Sequence, residues 1–225
     1  MQSDIIADRD FGMGVALNGL RQRGYSPKVI YDIGAADGAW ARFVLGMFPD
    51  AHMVCFEPLA ERVATLKQLE SESKGRVRFL NVGVGDADVE LQIGITEGLF
   101  DSSFAYGAST SRTVIVRTLE TLLRTERLEL PSFVKIDVQG FEKRVIDGGP
   151  SVFSYADMVL MECQFLPFCK DTRTLDQTIA HMSSLGFIPY EFVDLLRRPL
   201  DGAMGQCDIL FIRRNHLLVS NLRWG

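Results

Sequence analysis

The stretch Val29-Ile30-Tyr31-Asp32-Ile33-Gly34-Ala35-Ala36-Asp37-Gly38 decides the fold of this chain. Apart from Asp32, its first five residues are β-branched or aromatic, which is the composition of a short buried strand. The small residues that follow serve a physical purpose. Gly34, Ala35 and Gly38 let the backbone turn sharply and approach a ligand closely, and a helix predicted from Ala39 presents unpaired N–H groups to a carboxylate or phosphate. Ala36 stands in the second-glycine place of the Gly-x-Gly-x-x-Gly fingerprint, so a bulky pyrophosphate fits less well here. Asp32 points the same way, because an acid at the end of a first strand repels a pyrophosphate but attracts an ammonium group.

Outward from this turn, short β-branched-rich runs at 28–33, 52–57, 77–82, 133–137 and 157–162 alternate with amphipathic stretches at 39–48, 59–73, 119–129 and 140–147. Such stretches are long enough to cross over a sheet and return, so the pattern predicts α/β architecture with parallel strands. A helix over 175–185, closed by Gly186, ends the alternation. The last two runs, 187–195 and 207–213, are separated only by a Gly/Pro-containing loop too short for a crossover helix. They are expected to form an antiparallel hairpin. Two further runs, 89–95 and 113–119, flank the polar segment 96–111 and read as an inserted two-strand flap, with Phe100, Phe104 and Tyr106 beside it and Phe165 and Phe168 after the fifth run. The expected organisation is one domain over 1–225 with an N-terminal helical segment at 1–27 and the flap at 89–119.

Composition narrows the function. With 24 Lys+Arg against 29 Asp+Glu among 225 residues, the net charge is -5, so no basic footprint exists to neutralise a nucleic-acid backbone. No apolar stretch approaches the ~20 residues that span a bilayer, and residues 1–10 carry acids where a signal peptide needs Lys or Arg. A cytoplasmic protein is the expectation. The cysteines Cys55, Cys163, Cys169 and Cys207 are scattered without a Cys-x-x-Cys pair, and His52, His181 and His216 are dispersed. Reduced thiols and no structural zinc site follow.

The second strand ends in Phe56-Glu57-Pro58, twenty-five positions after Asp32, where a carboxylate accepts two ribose hydroxyls. Three more segments follow in order: Asn81-Val82-Gly83-Val84-Gly85-Asp86, Val116-Arg117-Thr118-Leu119-Glu120, and Phe133-Val134-Lys135-Ile136-Asp137-Val138-Gln139-Gly140-Phe141-Glu142. Together with the glycine turn, these segments resemble the FkbM-type methyltransferases over roughly residues 29–213. The resemblance implies a doubly wound class I methyltransferase fold, S-adenosylmethionine as cofactor, and methyl transfer to a hydroxyl of a sugar, glycan or small secondary metabolite. Carried onto this chain, it places Asp32, Gly34, Ala35 and Gly38 around the methionine portion, Glu57 and Pro58 at the ribose, and Asn81 and Val82 beside adenine. Asp86 is an alternative contact for the adenine amine. Two positions depart from the family pattern: Asp37 stands where the family has Asn, and Gln139 where it has Glu.

An alcohol acceptor needs help losing its proton, so acids at the fourth and fifth strand ends are the catalytic candidates: Asp137, Glu142 and Glu162. They could converge on a proton-accepting site or on a divalent cation; no metal ligands are assigned. A non-catalytic cofactor-binding or scaffolding module stays open because Gln139 replaces a carboxylate. A nicotinamide-dependent oxidoreductase is disfavoured by Asp32 and the terminal hairpin.

Overall fold

The computed structural model describes residues 12–95, 110–168 and 172–224. Phe100, Ser102, Ser103, Phe104, Tyr106, Cys169 and Lys170 lie outside them.

The chain enters through helix α1 (Met13–Gln22) and then alternates: β1 (Val29–Ile33), α2 (Ala39–Met47), β2 (His52–Phe56), α3 (Val63–Glu72) and β3 (Val77–Leu80). Three short-range strands follow, β4 (Gly83–Val84), β5 (Val89–Ile95) and β6 (Thr110–Arg117). Helix α4 (Leu119–Thr125), β7 (Phe133–Ile136), α5 (Glu142–Asp147), α6 (Pro150–Tyr155), β8 (Met158–Gln164), α7 (Leu175–Ser184), β9 (Phe187–Arg197) and β10 (Met204–Arg213) complete the order.

Among the described residues, seven strands make one sheet in the order β3-β2-β1-β7-β8-β10-β9. The first five are parallel, and β10 runs antiparallel to both β8 and β9. Every residue of β1 is buried because the sheet is covered on both faces. Tyr31 and Ile33 pack with Phe56, Val134 and Phe153 on one face, while Ile30 packs with Met53, Phe133 and Leu160 on the other. Burial of each such side chain contributes roughly 1.5–3 kcal/mol, which is why a strand of near-continuous apolar residues sits centrally and holds its carboxyl end in a fixed place. Cys55, Cys163 and Cys207 are buried free thiols within these two cores. No described helix is long and apolar enough to cross a membrane.

The expected parallel sheet with a terminal reversed hairpin is what the chain forms, and several boundaries differ for local reasons. The flap has three strands, in the order β4-β6-β5, because Gly83–Val84 pairs parallel to β6. Its last strand stops at Arg117. Leu119 begins helix α4 instead, since Thr118 takes an extended backbone and its hydroxyl accepts the N–H of Thr121 as an N-cap. Ile93, Val114 and Val116 bury against Leu59, fixing this small sheet over the segment after β2. The stretch 59–73 opens as a 3-10 turn, Ala60–Arg62, before α3 begins. Helix α5 starts two residues later than the expected position 140, at Glu142. Helix α6 fills the stretch between the expected helix at 140–147 and the run at 157–162, and Pro150 stands at its first helical position, where its missing N–H costs nothing. Strand β8 runs through Glu162 to Gln164, and the hairpin is longer than expected, with a tip confined to residues 198–203.

Candidate functional site

An open cleft with a cavity volume of ≈ 110 Å³ lies at the carboxyl ends of β1, β2 and β7, where an open α/β sheet binds its ligands. Its walls include Gly34, Glu57, Pro58, Val82, Ile93 and Asp137. The glycine turn shapes one side. Gly34 has φ 82, and a Cβ there would lie 1.9 Å from the Asp137 carbonyl oxygen, so only glycine lets the first and fourth strand ends approach so closely. Ala36 also lines the cleft and holds φ 48, a left-handed conformation uncommon for a residue with a Cβ.

Glu57 explains why that conformation persists. Its Oε2 accepts the N–H of Ala36 at 3.0 Å and its Oε1 accepts the N–H of Leu59 at 3.0 Å. The carboxylate therefore ties the turn after β1 to the segment after β2, with lone pairs left on both oxygens for ligand hydroxyls. Burial raises its pKa, and the two backbone N–H groups oppose that rise. Asp37 Oδ1 accepts the N–H of Ala39, the first residue of α2, which is the task an Asn side chain oxygen performs equally well.

Asp32, Ala35 and Gly38 are buried beneath this surface and are not among the cleft's walls. Asp32 is 0% exposed and faces Lys135 Nζ at 3.2 Å. The same ammonium donates to the Gly34 carbonyl at 3.2 Å, lies 3.4 Å from Asp137 Oδ2 and sits 5.5 Å from the Trp40 ring centroid. Burial works against the charged lysine, but Asp32 and Asp137 outweigh it and hold its pKa above the ordinary value. Asp32 thus acts on the cleft through Lys135, which fixes the turn and the exposed carboxylate of Asp137 in one geometry.

Asn81 is exposed and donates to the Glu57 carbonyl at 2.8 Å, supporting the backbone behind the cleft, whereas Val82 is part of its wall. Asp86 is exposed, 3.7 Å from Arg144, and apart from the cleft.

Of the three catalytic candidates, Asp137 follows β7 and lines the cleft, while Glu142, which opens α5 and accepts the Gly140 N–H at 2.9 Å, and Glu162, which projects from β8, line a separate small pocket. Gln139, with φ 52, bridges two of them: its Nε2 donates to Asp137 Oδ1 at 3.0 Å and reaches Glu162 Oε2 at 3.4 Å. Burial and mutual repulsion push Glu142 up to about 7. For Glu162, burial and then Asp137, Glu142 and Asp208 push the carboxyl up to about 8. Asp208, opposite Glu162 on β10, rises to about 7 through burial and its acidic neighbours Asp137 and Asp194. Among the described residues, no group of three or more His, Cys, Asp or Glu is disposed to hold a metal ion. Lys135, Asp208, Gln164 and Gln206 were not among the sequence candidates; the signal was present as polar residues inside otherwise buried strands, but assigning it needs the strand register.

The sequence profile described as Methyltransferase FkbM domain matches residues 32–189. A search of curated proteins found no match. Among solved structures, the chain is similar to a methyltransferase FkbM from Methylobacillus flagellatus KT, at 16% identity and a TM-score of 0.53. That alignment covers 82% of this chain and 43% of the other, so the chain spans less than half of that protein's length. A precorrin-6y C5,15-methyltransferase from Geobacter metallireducens GS-15 aligns at 14% identity and TM-score 0.50, covering 92% and 95% of the two chains. A putative RNA methyltransferase from Pyrococcus horikoshii aligns at 15% and 0.50, covering 90% and 86%. At such identities the structural likeness speaks for the fold alone, which is of the class I methyltransferase type. The profile spans most of the chain and includes the glycine turn, Glu57 and the Asp137 to Glu142 segment, and on that ground this chain belongs to the FkbM methyltransferase family.

Proposed function

We propose that this chain is an S-adenosylmethionine-dependent methyltransferase that methylates a hydroxyl group of a sugar, glycan or small secondary metabolite. The observation that carries the reading is the pairing of Glu57 and the glycine turn in one cleft at the strand ends. Glu57 offers a fixed, buried carboxylate for two ribose hydroxyls, with Pro58 beside it. Val82 and Ile93 offer apolar walls for a purine, and Asn81 braces that side from behind. Gly34, Ala35 and Gly38 keep the turn narrow enough for a methionine chain, while the Asp32–Lys135 pair fixes Asp137 beside it. Asp86 has no part in this scheme.

When bound, S-adenosylmethionine supplies an electrophilic methyl group on a sulfonium. The protein's own share is to hold the acceptor oxygen in line with that carbon, an effect worth roughly 7–11 kcal/mol, and to accept its proton. In this reading the acceptor meets the methionine end beside Asp137, with Glu162 linked to it through Gln139 and Glu142 in the small pocket that Glu162 also lines, and Glu142 and Glu162 are held less acidic than ordinary carboxyls.

Titration calorimetry with S-adenosylhomocysteine tests the cofactor half. Micromolar binding is expected; no binding by the folded protein at millimolar ligand overturns the reading. Methyl-labelled S-adenosylmethionine offered with a panel of sugars and hydroxylated metabolites then tests the reaction, with label in an ether product as the expected result.

A further inference from the structure

Glu162 is held by three glutamine side chains from separate parts of the chain. Gln164 Nε2 donates to Oε1 at 2.7 Å, Gln206 Nε2 donates to Oε2 at 2.8 Å, and Gln139 Nε2 approaches Oε2 at 3.4 Å. Gln164 and Gln206 are direct partners in the β8–β10 register, so two adjacent strands present both amides to one carboxylate. Gln139 also lines the cofactor cleft beside Asp137, which joins this clamp to the place where the methyl group arrives.

The chemistry of the clamp differs from that of an ion pair. An amide N–H directs a carboxylate oxygen without bringing a positive charge to it, so orientation is fixed while basicity is lowered less than a facing ammonium would lower it. Asp137 has an ammonium beside it instead, Lys135 Nζ at 3.4 Å from its Oδ2. Glu142 is tied to the backbone of its own helix start. The other charged groups facing Glu162 are Asp137 after β7, Glu142 and Lys143 on α5, Asp208 on β10, and Arg173 and His181 at α7, which share a small pocket with it. Among these, the carboxylates Asp137, Glu142 and Asp208 act most strongly, and they favour the proton-bound form.

Resting on the methyl-transfer reading above, we propose that Glu162 is the group that takes the acceptor's hydroxyl proton, and that Gln164 and Gln206 are positioning residues that aim its two oxygens. In one displacement the acceptor O–H bond breaks, its proton passes to a Glu162 oxygen, the freed oxygen pair forms the new C–O bond to the methyl carbon, and the C–S pair leaves on sulfur. With Nε2 committed to Glu162, the Gln164 Oε1 is buried without a hydrogen-bond partner among the described residues.

The test reads the carboxyl directly in the full chain, by carbon NMR of protein labelled at the glutamate carboxyl carbons, with Glu162→Gln used to assign the signal. Glu162 is expected to titrate near pH 8, far above an ordinary glutamate. Gln206→Met and Gln164→Met each remove a donor to the charged form at nearly constant size, so each should raise the midpoint by about 1 pH unit. S-adenosylhomocysteine affinity should stay within about twofold in both, which shows that the fold and the cofactor cleft survive. A wild-type midpoint below 5, or midpoints unmoved by both variants, overturns the proposal while leaving the methyltransferase reading in place. Loss of S-adenosylhomocysteine binding in the wild-type chain removes that reading as well.

Discussion

The two halves of the site are built on different physical plans. On the cofactor side, Glu57 is a single carboxylate whose two oxygens each accept a backbone N–H, and the residues that shape its cleft sit within short segments of sequence. On the side proposed for the acceptor, Asp137, Glu142, Glu162 and Asp208 interact with one another, with one buried ammonium, Lys135, beside Asp137 and neutral amides on Asp137 and Glu162. The first arrangement anchors a side-chain carboxylate on two backbone N–H groups. In the second, burial first and then the neighbouring carboxylates make Glu142, Glu162 and Asp208 keep their protons to higher pH. Geometry is therefore the currency of one half and protonation of the other.

The contrast breaks most sharply at Lys135, which belongs to both halves. Lys135→Met leaves Asp32 as a buried acid with no counter-charge, and a loss of about 3–5 kcal/mol in unfolding free energy is expected by denaturant titration. The double variant Asp32→Leu with Lys135→Met should recover most of that loss. If the single variant is as stable as wild type, the pair is not what fixes the turn to Asp137.

Gly34→Ala attacks the glycine turn where it meets the backbone of Asp137. The new Cβ meets the Asp137 carbonyl in a left-handed backbone, so a cost of about 3 kcal/mol and loss of measurable S-adenosylhomocysteine binding are expected. Full binding with unchanged thermal stability would mean that the strand ends part readily.

The acceptor half is sharpened by pH. Glu142, Glu162 and Asp208 keep protons in the folded chain that the unfolded chain releases near pH 4. The stability they contribute is complete below that pH and is lost as pH rises through about 7 to 8. Glu162→Gln removes its share of this loss. Relative to wild type, the variant should therefore gain about 3 kcal/mol in unfolding free energy between pH 5 and pH 8. A constant difference across that range would place Glu162 in an ordinary solvated setting.

How far each half could be read from sequence follows from how it is assembled. The turn from Gly34 to Gly38 and the Phe56-Glu57-Pro58 segment are local, and the alternation of strands and helices places both at one sheet edge. The acceptor side needs a register. Gln206 and Asp208 reach Gln164 and Glu162 only because β10 turns back antiparallel beside β8, and nothing in the spacing of those residues fixes that alignment. The same limit explains Asp32. A strand-end acid suggests a ligand contact, and only the neighbouring strand reveals that Lys135 stands opposite it, since Asp32 and Lys135 are register partners in β1 and β7. Helix α6 escaped because Gly-Gly-Pro signals a break and a helix start equally well.

The central claim is the division of labour itself, and calorimetry with S-adenosylhomocysteine on Glu57→Gln and Glu162→Gln tests it most directly. Glu57→Gln should weaken binding by about 1–3 kcal/mol through loss of a charged partner for the ribose hydroxyls, while Glu162→Gln should bind as wild type does. Unchanged affinity in Glu57→Gln together with lost affinity in Glu162→Gln would contradict the account.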